Sequence, residues 1–379
     1  MINRILGNLI EKSKKSALLL GPRQTGKSTL IKSLPIDLTI NFADQDTFLK
    51  HTQDFGLLRD QIERKKAQKI FIDEVQRIPE LLNTIQSIID DNPSIKFYLT
   101  GSSARKLKKG GANLLSGRVI NYSMGALTLK ELSYNIRRQD LIYGFLPGVY
   151  TEKNEYDKKA LLGSYSASYV NEEIKAEALV RDLPAFSRFL QLIPDFVSEF
   201  VDYSKLSAKS KISRHQVPRY FEIFEDTMVG YRLFPDRKLI EKYDLIKHPK
   251  FYFFDVGVYN GLQKSYEFSN DRAGILCEQV VFQQLLHSAM ALQKNIEMHS
   301  FRTRGGAEID FWLKLDSKNI GIEVKASDKI IEDDVRHLVH FKKNEPKADF
   351  YLFHFGKEES KKNGIWCLPL GAGLKEIGL

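Results

Sequence analysis

Short apolar runs separated by stretches of helical periodicity fill the first third of the chain. Strands are expected at residues 17–20, 38–42, 70–73, 96–100 and 118–122. Strands that alternate with helices predict a parallel sheet covered on both faces, with any ligand at the carboxyl ends of the strands. Asp44 follows the second strand and either points toward that edge or caps the helix beginning near Thr47, the cap being the preferred reading. The pattern changes near Leu146-Pro147-Gly148, and residues 155–200 read as helices rich in Tyr, Ser and Phe.

A short helix at 206–209, a turn at 210–213 and a longer helix reaching about residue 229 come next. Val217, Phe221, Phe224 and Met228 fall on one side of the longer helix at spacings of 3 and 4. Pro218 would cost a hydrogen bond in the second turn if Ser213 were the cap, so the helix is expected to start nearer Gln216. With residues 231–234 as a wing strand, this is the outline of a winged helix-turn-helix. Lys209, Lys211, Arg214, His215 and Arg219 would decorate its recognition helix. Further on, 308–313 and 320–325 alternate with period two and read as a hairpin.

Between the first strand and its helix stands Gly21-Pro22-Arg23-Gln24-Thr25-Gly26-Lys27-Ser28, a phosphate loop in strand–loop–helix context. Gly21 and Gly26 let the backbone turn its N–H groups on the phosphates. The helix beginning near Lys27 adds its positive end. Lys27 would reach the β- and γ-phosphates and Ser28 would ligate Mg²⁺. The third strand ends in Asp73-Glu74: Asp73 would hold the Mg²⁺ through water and Glu74 would orient or deprotonate the attacking water. The paired acids favour an ATPase over a nucleotide kinase. Thr100, in Thr100-Gly101-Ser102-Ser103, either senses the γ-phosphate or caps the following helix. Arg118 is a candidate arginine finger, acting within the chain or between chains of a homo-oligomer, and a surface ion pair is its plain alternative. Arg105, in a basic run to Lys109, is a weaker rival.

A second constellation lies downstream. Taking Ser317-Lys318 as the turn pairs 316 with 319 and 310 with 325, and Asp310, Glu323 and Lys325 share one face. Two carboxylates and a lysine suit a divalent metal and a phosphodiester. Glu278 lies within an apolar helical stripe with Ile275, Phe282 and Leu285, where a carboxylate must be paired or bind metal.

At 379 residues the chain is too long for one core. The net charge of +9 points to a polyanionic partner, nucleic acid first and an anionic membrane second. Two cysteines exclude a disulfide framework and fit a reducing, cytoplasmic setting. No secretion signal is evident, and no apolar run approaches the roughly 20 residues of a membrane span.

The motifs Gly-Pro-Arg-Gln-Thr-Gly-Lys-Ser-Thr at 21–29, Ile-Asp-Glu-Val-Gln at 72–76, Leu-Thr-Gly-Ser-Ser at 99–103, Ser-Gly-Arg at 116–118, Phe-Phe-Asp-Val-Gly at 253–257 and Gly-Ala-Glu-Ile-Asp-Phe-Trp at 306–312 carry an end-to-end likeness. The chain resembles the bacterial and archaeal ATPases with an N-terminal AAA-type domain and a C-terminal domain of unknown function containing a winged helix and a PD-(D/E)xK nuclease-like fold. The resemblance implies an α/β protein divided into an AAA-type domain (1–140), a helical connector (141–200), a winged helix (201–245) and a nuclease-like domain (246–379). It implies ATP and Mg²⁺ on Gly21 to Thr29 and Asp73, with Lys27, Glu74 and Arg118 catalytic. In the nuclease-like domain it implies Asp310, Glu323 and Lys325 as catalytic residues, with a second Mg²⁺ or Mn²⁺ on Glu278, Asp310 and Glu323. DNA is the expected partner. A nucleotide-gated binding or signalling switch with a silent nuclease-like platform is the alternative.

Overall fold

The computed structural model describes residues 2–102, 115, 117–166 and 182–379. Ser103, the basic run from Arg105 to Lys109, Ser116 and part of the expected helical region 155–200 lie outside the described residues. The protein is α/β. It divides into one unit of Met1–Ala126 with Asp226–Met228, and another of Leu127–Glu225 with Val229–Leu379.

The first unit is built on β1 (Ser16–Leu20), β2 (Leu38–Asn41), β3 (Lys69–Asp73), β4 (Lys96–Gly101) and β5 (Val119–Ser123). They form one parallel sheet in the order β2-β3-β4-β1-β5. Alternate residues feed two cores, as expected of a sheet covered on both faces. Leu18, Ile40, Ile72 and Leu99 pack with Leu58, Ile62, Leu81 and Ile85 of the helices Leu57–Lys65 and Leu81–Asp91. Leu19, Phe71 and Tyr98 pack on the other face with Leu6, Ile10, Leu30 and Ile31 of the helices Ile5–Lys12 and Lys27–Lys32. The order reverses at β1, which lies between β4 and β5, so the loop after Leu20 emerges at the middle of the sheet's carboxyl edge. Asp44 is a helix cap: its Oδ1 accepts from Thr47 N at 2.8 Å.

The second unit begins with helices, of which Tyr203–Ser210 and Gln216–Asp226 match the expected pair. Phe186, Phe189, Phe221 and Phe224 form an aromatic core with Phe251. The strand expected at 231–234 is β6 (Gly230–Leu233), paired antiparallel with β7 (Lys250–Phe253). A mixed six-stranded sheet follows. Its strands are β8 (Ile296–Arg302), β9 (Glu308–Leu315), β10 (Lys318–Lys325), β11 (Asp349–His354), β12 (Ser360–Lys362) and β13 (Ile365–Pro369), ordered β12-β13-β11-β10-β9-β8.

The β9–β10 hairpin differs from expectation by two residues. Leu315 pairs with Lys318 and Phe311 with Ile322, so the turn is Asp316-Ser317 rather than Ser317-Lys318. Asp316 adopts a left-handed φ of 52° there. Continuing this register sets Asp310 beside Glu323 rather than Lys325. A slip of two residues preserves the face of every side chain, whereas a slip of one would have dispersed the cluster.

The helix Asn270–Leu292 packs on β7 and β10. It is buried on nearly every side from Leu276 to Ala289, rather than along a single stripe. Its glutamines clasp backbone elsewhere. Gln279 accepts from Phe253 N at 3.0 Å and donates to Phe253 O at 2.6 Å, Gln283 accepts from Val256 N at 2.7 Å, and Gln284 accepts from Leu129 N at 2.8 Å. Asp255 does the same work beside them. Its carboxylate accepts from Phe145 N, Gly257 N and Val258 N at 2.8, 2.9 and 3.2 Å, while burial pushes its pKa up to about 6. Replacing Asp255 with alanine strands three buried N–H groups, and a loss of roughly 2–4 kcal/mol is expected in urea unfolding.

Candidate functional site

The phosphate loop leaves β1 against Met124, the residue that follows the parallel neighbour β5 and donates its N–H to Leu20 O at 2.8 Å. A β-carbon at Gly21 would lie 2.1 Å from Met124 O, so only glycine fits. Gly26, with φ of 92°, turns the chain into the helix Lys27–Lys32. Gln24 is exposed and left-handed at φ 58°, and Arg23 is half-buried. Thr25 is fully buried, its hydroxyl donating to Pro22 O at 2.8 Å. Lys27 is buried, its Nζ donating to Gly21 O and Pro22 O at 2.8 Å each. Thr29 is exposed in the first turn.

Sequence reasoning missed the loop's anchor. Arg4, which precedes the first helix, donates to Thr25 O at 2.6 Å, and to Gly125 O and Ala126 O at 2.9 and 3.2 Å. One guanidinium thus fastens the loop to the segment after β5. An arginine just before an amphipathic helix reads locally as surface, and nothing in its neighbourhood signals this role.

The acid pair stands across from the loop. Asp73 Oδ1 accepts from Ser28 Oγ at 2.8 Å and from Thr100 Oγ1. Thr100 also accepts from Glu74 N at 3.4 Å, so it braces the two acids from the neighbouring strand. Glu74 adopts a left-handed φ of 58° at the strand end. Its Oε2 accepts from Gln76 Nε2 and, at 3.5 Å, from Ser102 Oγ. Gln76 also donates to Ser102 at 3.0 Å.

Arg118 lies elsewhere. Val119 pairs with Ser16 at the start of β1, whereas the phosphate loop follows Leu20. Four strand residues separate the two edges, about 13 Å. There Arg118 holds Asp90 through Nε at 2.6 Å and Nη2 at 2.9 Å. The expectation of a finger acting within the chain is therefore corrected, because the side chain starts at the wrong edge of its own sheet.

The second constellation lines a cavity of about 420 Å³ in the other unit. Asp310, Glu323, Lys325 and Glu278 all reach it, together with two groups that sequence reasoning missed, Lys250 and Glu308. Lys250 Nζ lies 2.6 Å from Glu308, 2.9 Å from Glu278 and 3.5 Å from Asp310. Tyr252 also donates to Glu278 Oε1. Asp310 Oδ2 accepts from Val324 N at 2.8 Å, and Lys325 pairs with Glu323 at 2.8 Å. Burial penalises ammonium and carboxylate alike. For Lys250 the surrounding acids outweigh it and hold the pKa well above its ordinary value. One ammonium shared among three acids cannot do the same for each, so burial leaves Glu278 up at about 7 and Asp310 raised. Burial and the nearby Asp310 charge push Glu323 up to about 8. The warning lay in Lys250-Phe251-Tyr252-Phe253-Phe254: a lysine heading an apolar strand has to be paired.

The two sites fit their expected ions differently. At the first, a hydroxyl and a carboxylate in contact beside a turned-in loop are a donor set for Mg²⁺ and a triphosphate. At the second, Lys250 already supplies the cation for Glu278 and Asp310, and the expected metal on Glu278, Asp310 and Glu323 does not fit beside it. Among the described residues no group of three His, Cys, Asp or Glu takes up a metal-holding arrangement. Among the described residues no helix is long and apolar enough to cross a membrane.

Residues 13–133 match a family model described as an AAA domain. Residues 135–267 and 273–372 match two models described as domains of unknown function. The first unit thus has the sequence and the strand–loop–helix geometry of an AAA-type phosphate-loop domain. An uncharacterized protein of Mycobacterium tuberculosis is 25% identical over 317 residues, 81% of this chain and 69% of its own length. An uncharacterized protein of Haemophilus influenzae is 25% identical over 351 residues, 85% of this chain and 79% of its own length. Among solved structures, the replication initiator DnaA bound to AMPPCP and single-stranded DNA covers 58% of this chain and 86% of its own, with 13% identity and a TM-score of 0.29. The S. cerevisiae Hsp104–ADP complex covers 76% and 42%, with 11% identity and a TM-score of 0.28. Neither score reaches the level of a shared overall fold.

Proposed function

We propose that this chain binds and hydrolyses ATP at the carboxyl edge of its first sheet, and that the nucleotide state governs a nuclease-like second unit that engages DNA. The observation that carries the ATPase reading is the contact of Ser28 Oγ with Asp73 Oδ1 at 2.8 Å beside the turned-in phosphate loop. Backbone N–H groups of residues 22–28 would hold the phosphates. Lys27 would exchange the carbonyls of Gly21 and Pro22 for phosphate oxygens. Ser28 and Asp73 would hold Mg²⁺, which when bound supplies charge neutralisation for phosphoryl transfer. Glu74, held by Gln76 and Ser102, would take the proton of the attacking water or fix its direction. An arginine finger, if Arg118 supplies one, serves a neighbouring copy and requires a homo-oligomer.

Replacing Glu74 with glutamine tests this. The variant is expected to bind an ATP analogue like the parent while turnover falls by roughly 10²- to 10⁴-fold. Loss of binding with loss of turnover would make Glu74 a structural residue instead.

For the second unit, one observation favours the reading as a catalytically silent platform: the Lys250 ammonium is seated among the acids that a metal would need. DNA incubated with the chain in Mg²⁺ or Mn²⁺ should then stay intact. Cleavage that disappears in Asp310→Ala would restore the active-nuclease reading.

A further inference from the structure

We infer that Lys250 is the resident cation of the second-unit cavity, standing where a nuclease-like centre would carry a divalent metal, so that the chain binds no Mg²⁺ or Mn²⁺ through Asp310. This rests on the nuclease-like reading of that unit and goes beyond it, because it names the residue that silences the site.

Three features hold the ammonium in place. The first is saturation: an ammonium has three N–H donors, and Nζ faces Glu308 Oε1, Glu278 Oε1 and Asp310 Oδ1 at 2.6, 2.9 and 3.5 Å. The second is the ring of Phe200, whose centroid lies 5.4 Å from Nζ and adds a π face to the carboxylates. The third is the backbone. Lys250 opens β7, whose next three residues are fully buried, and Val201 N donates to Pro249 O at 2.8 Å. The side chain is only 3% exposed. The strand fixes its backbone, and the three acids fix its head group.

Oxygen bookkeeping points the same way. Glu278 Oε1 is shared by Lys250 and Tyr252. Asp310 spends Oδ1 on Lys250 and Oδ2 on Val324 N. Glu323 spends Oε1 on Lys325, and its Oε2 is buried without a partner. Glu278 Oε2 and Glu323 Oε2 are left over, but both oxygens of Asp310 are taken, so Mg²⁺ or Mn²⁺ on Asp310 would have to displace the ammonium or the Val324 N–H. A divalent ion drawn to Glu278 and Asp310 would also sit against the ammonium, and like charges at that range repel.

The test titrates Mn²⁺ into the full chain without nucleotide, in an Asp73→Asn background that disables the first unit's carboxylate, and reads bound Mn²⁺ by electron paramagnetic resonance. With Lys250 present, adding Asp310→Asn should change nothing up to roughly 1 mM Mn²⁺. Lys250→Met should gain one Mn²⁺, bound at least about tenfold more tightly, and lose it again when Asp310→Asn is added. Asp310-dependent Mn²⁺ binding by the Lys250 chain would overturn the proposal, as would a folded Lys250→Met chain that gains none. Should Lys250→Met fail to fold, the Lys250 chain and its Asp310→Asn partner still decide between the two. The ATPase reading is scored separately by turnover, so either can fall without the other.

Discussion

ATP turnover in Lys27→Ala is expected to fall to background, a drop of roughly 10²- to 10³-fold or more, with the fold intact. The size follows from what Lys27 would do. Its ammonium would meet charge that grows on the phosphates as the transition state forms, and removing one such preorganised donor costs on this order. The fold should survive because the bonds that Nζ makes to Gly21 O and Pro22 O stay within its own loop. The check is steady-state phosphate release beside circular dichroism and thermal unfolding. Turnover equal to the parent in a folded variant would mean that hydrolysis, if present, occurs elsewhere.

The second large effect belongs to Lys250→Ala. Removing one partner of a buried ion cluster typically costs about 3–5 kcal/mol, because the remaining charges stay buried and uncompensated. Here the loss should depend on pH, and the sign can be worked out. Burial holds Glu278 up at about 7 and Glu323 at about 8, against an ordinary value of about 4.3 for an unfolded chain. Between those values the folded protein keeps protons that the unfolded chain has released. Its stability therefore falls as pH rises through that window. Without Lys250 the attraction that restrains Glu278 is gone, so the fall steepens. Urea midpoints should differ strongly between parent and Lys250→Ala at pH 8 and converge toward pH 5.5. A loss of equal size at both would contradict the account of a shared ammonium.

What could be read along the chain divides by range. The five parallel strands are local patterns, and each appears within a residue or two of its expected bounds. The phosphate loop is also local, with its glycines, lysine and serine consecutive in sequence. The meeting of Ser28 and Asp73, 45 residues apart, follows once the strands are known to be parallel. The hairpin at 308–325 could be read for its face but not for its turn, because moving the turn by one residue shifts the pairing by two and leaves every side chain on the same face while changing its partner. What could not be read is tertiary. Lys250 comes from a ribbon strand, Glu278 from a helix and Glu308 from a different sheet, and no spacing connects them. Arg4 reaches 121 residues along the chain to Gly125. Arg118 shows the converse case: its position before a strand is legible, but which edge of the sheet that strand begins from is a matter of topology.

The glutamines of the helix Asn270–Leu292 carry one more implication. With Gln279, Gln283 and Gln284 each gripping backbone at a separate place, the rod cannot roll about its axis unless all of its teeth slip together. Glu278 is one step from the first tooth, so its carboxylate is indexed to Lys250 rather than free to hunt for a partner. Substitutions at these amides should detune the cavity's chemistry while the surrounding layers still assemble.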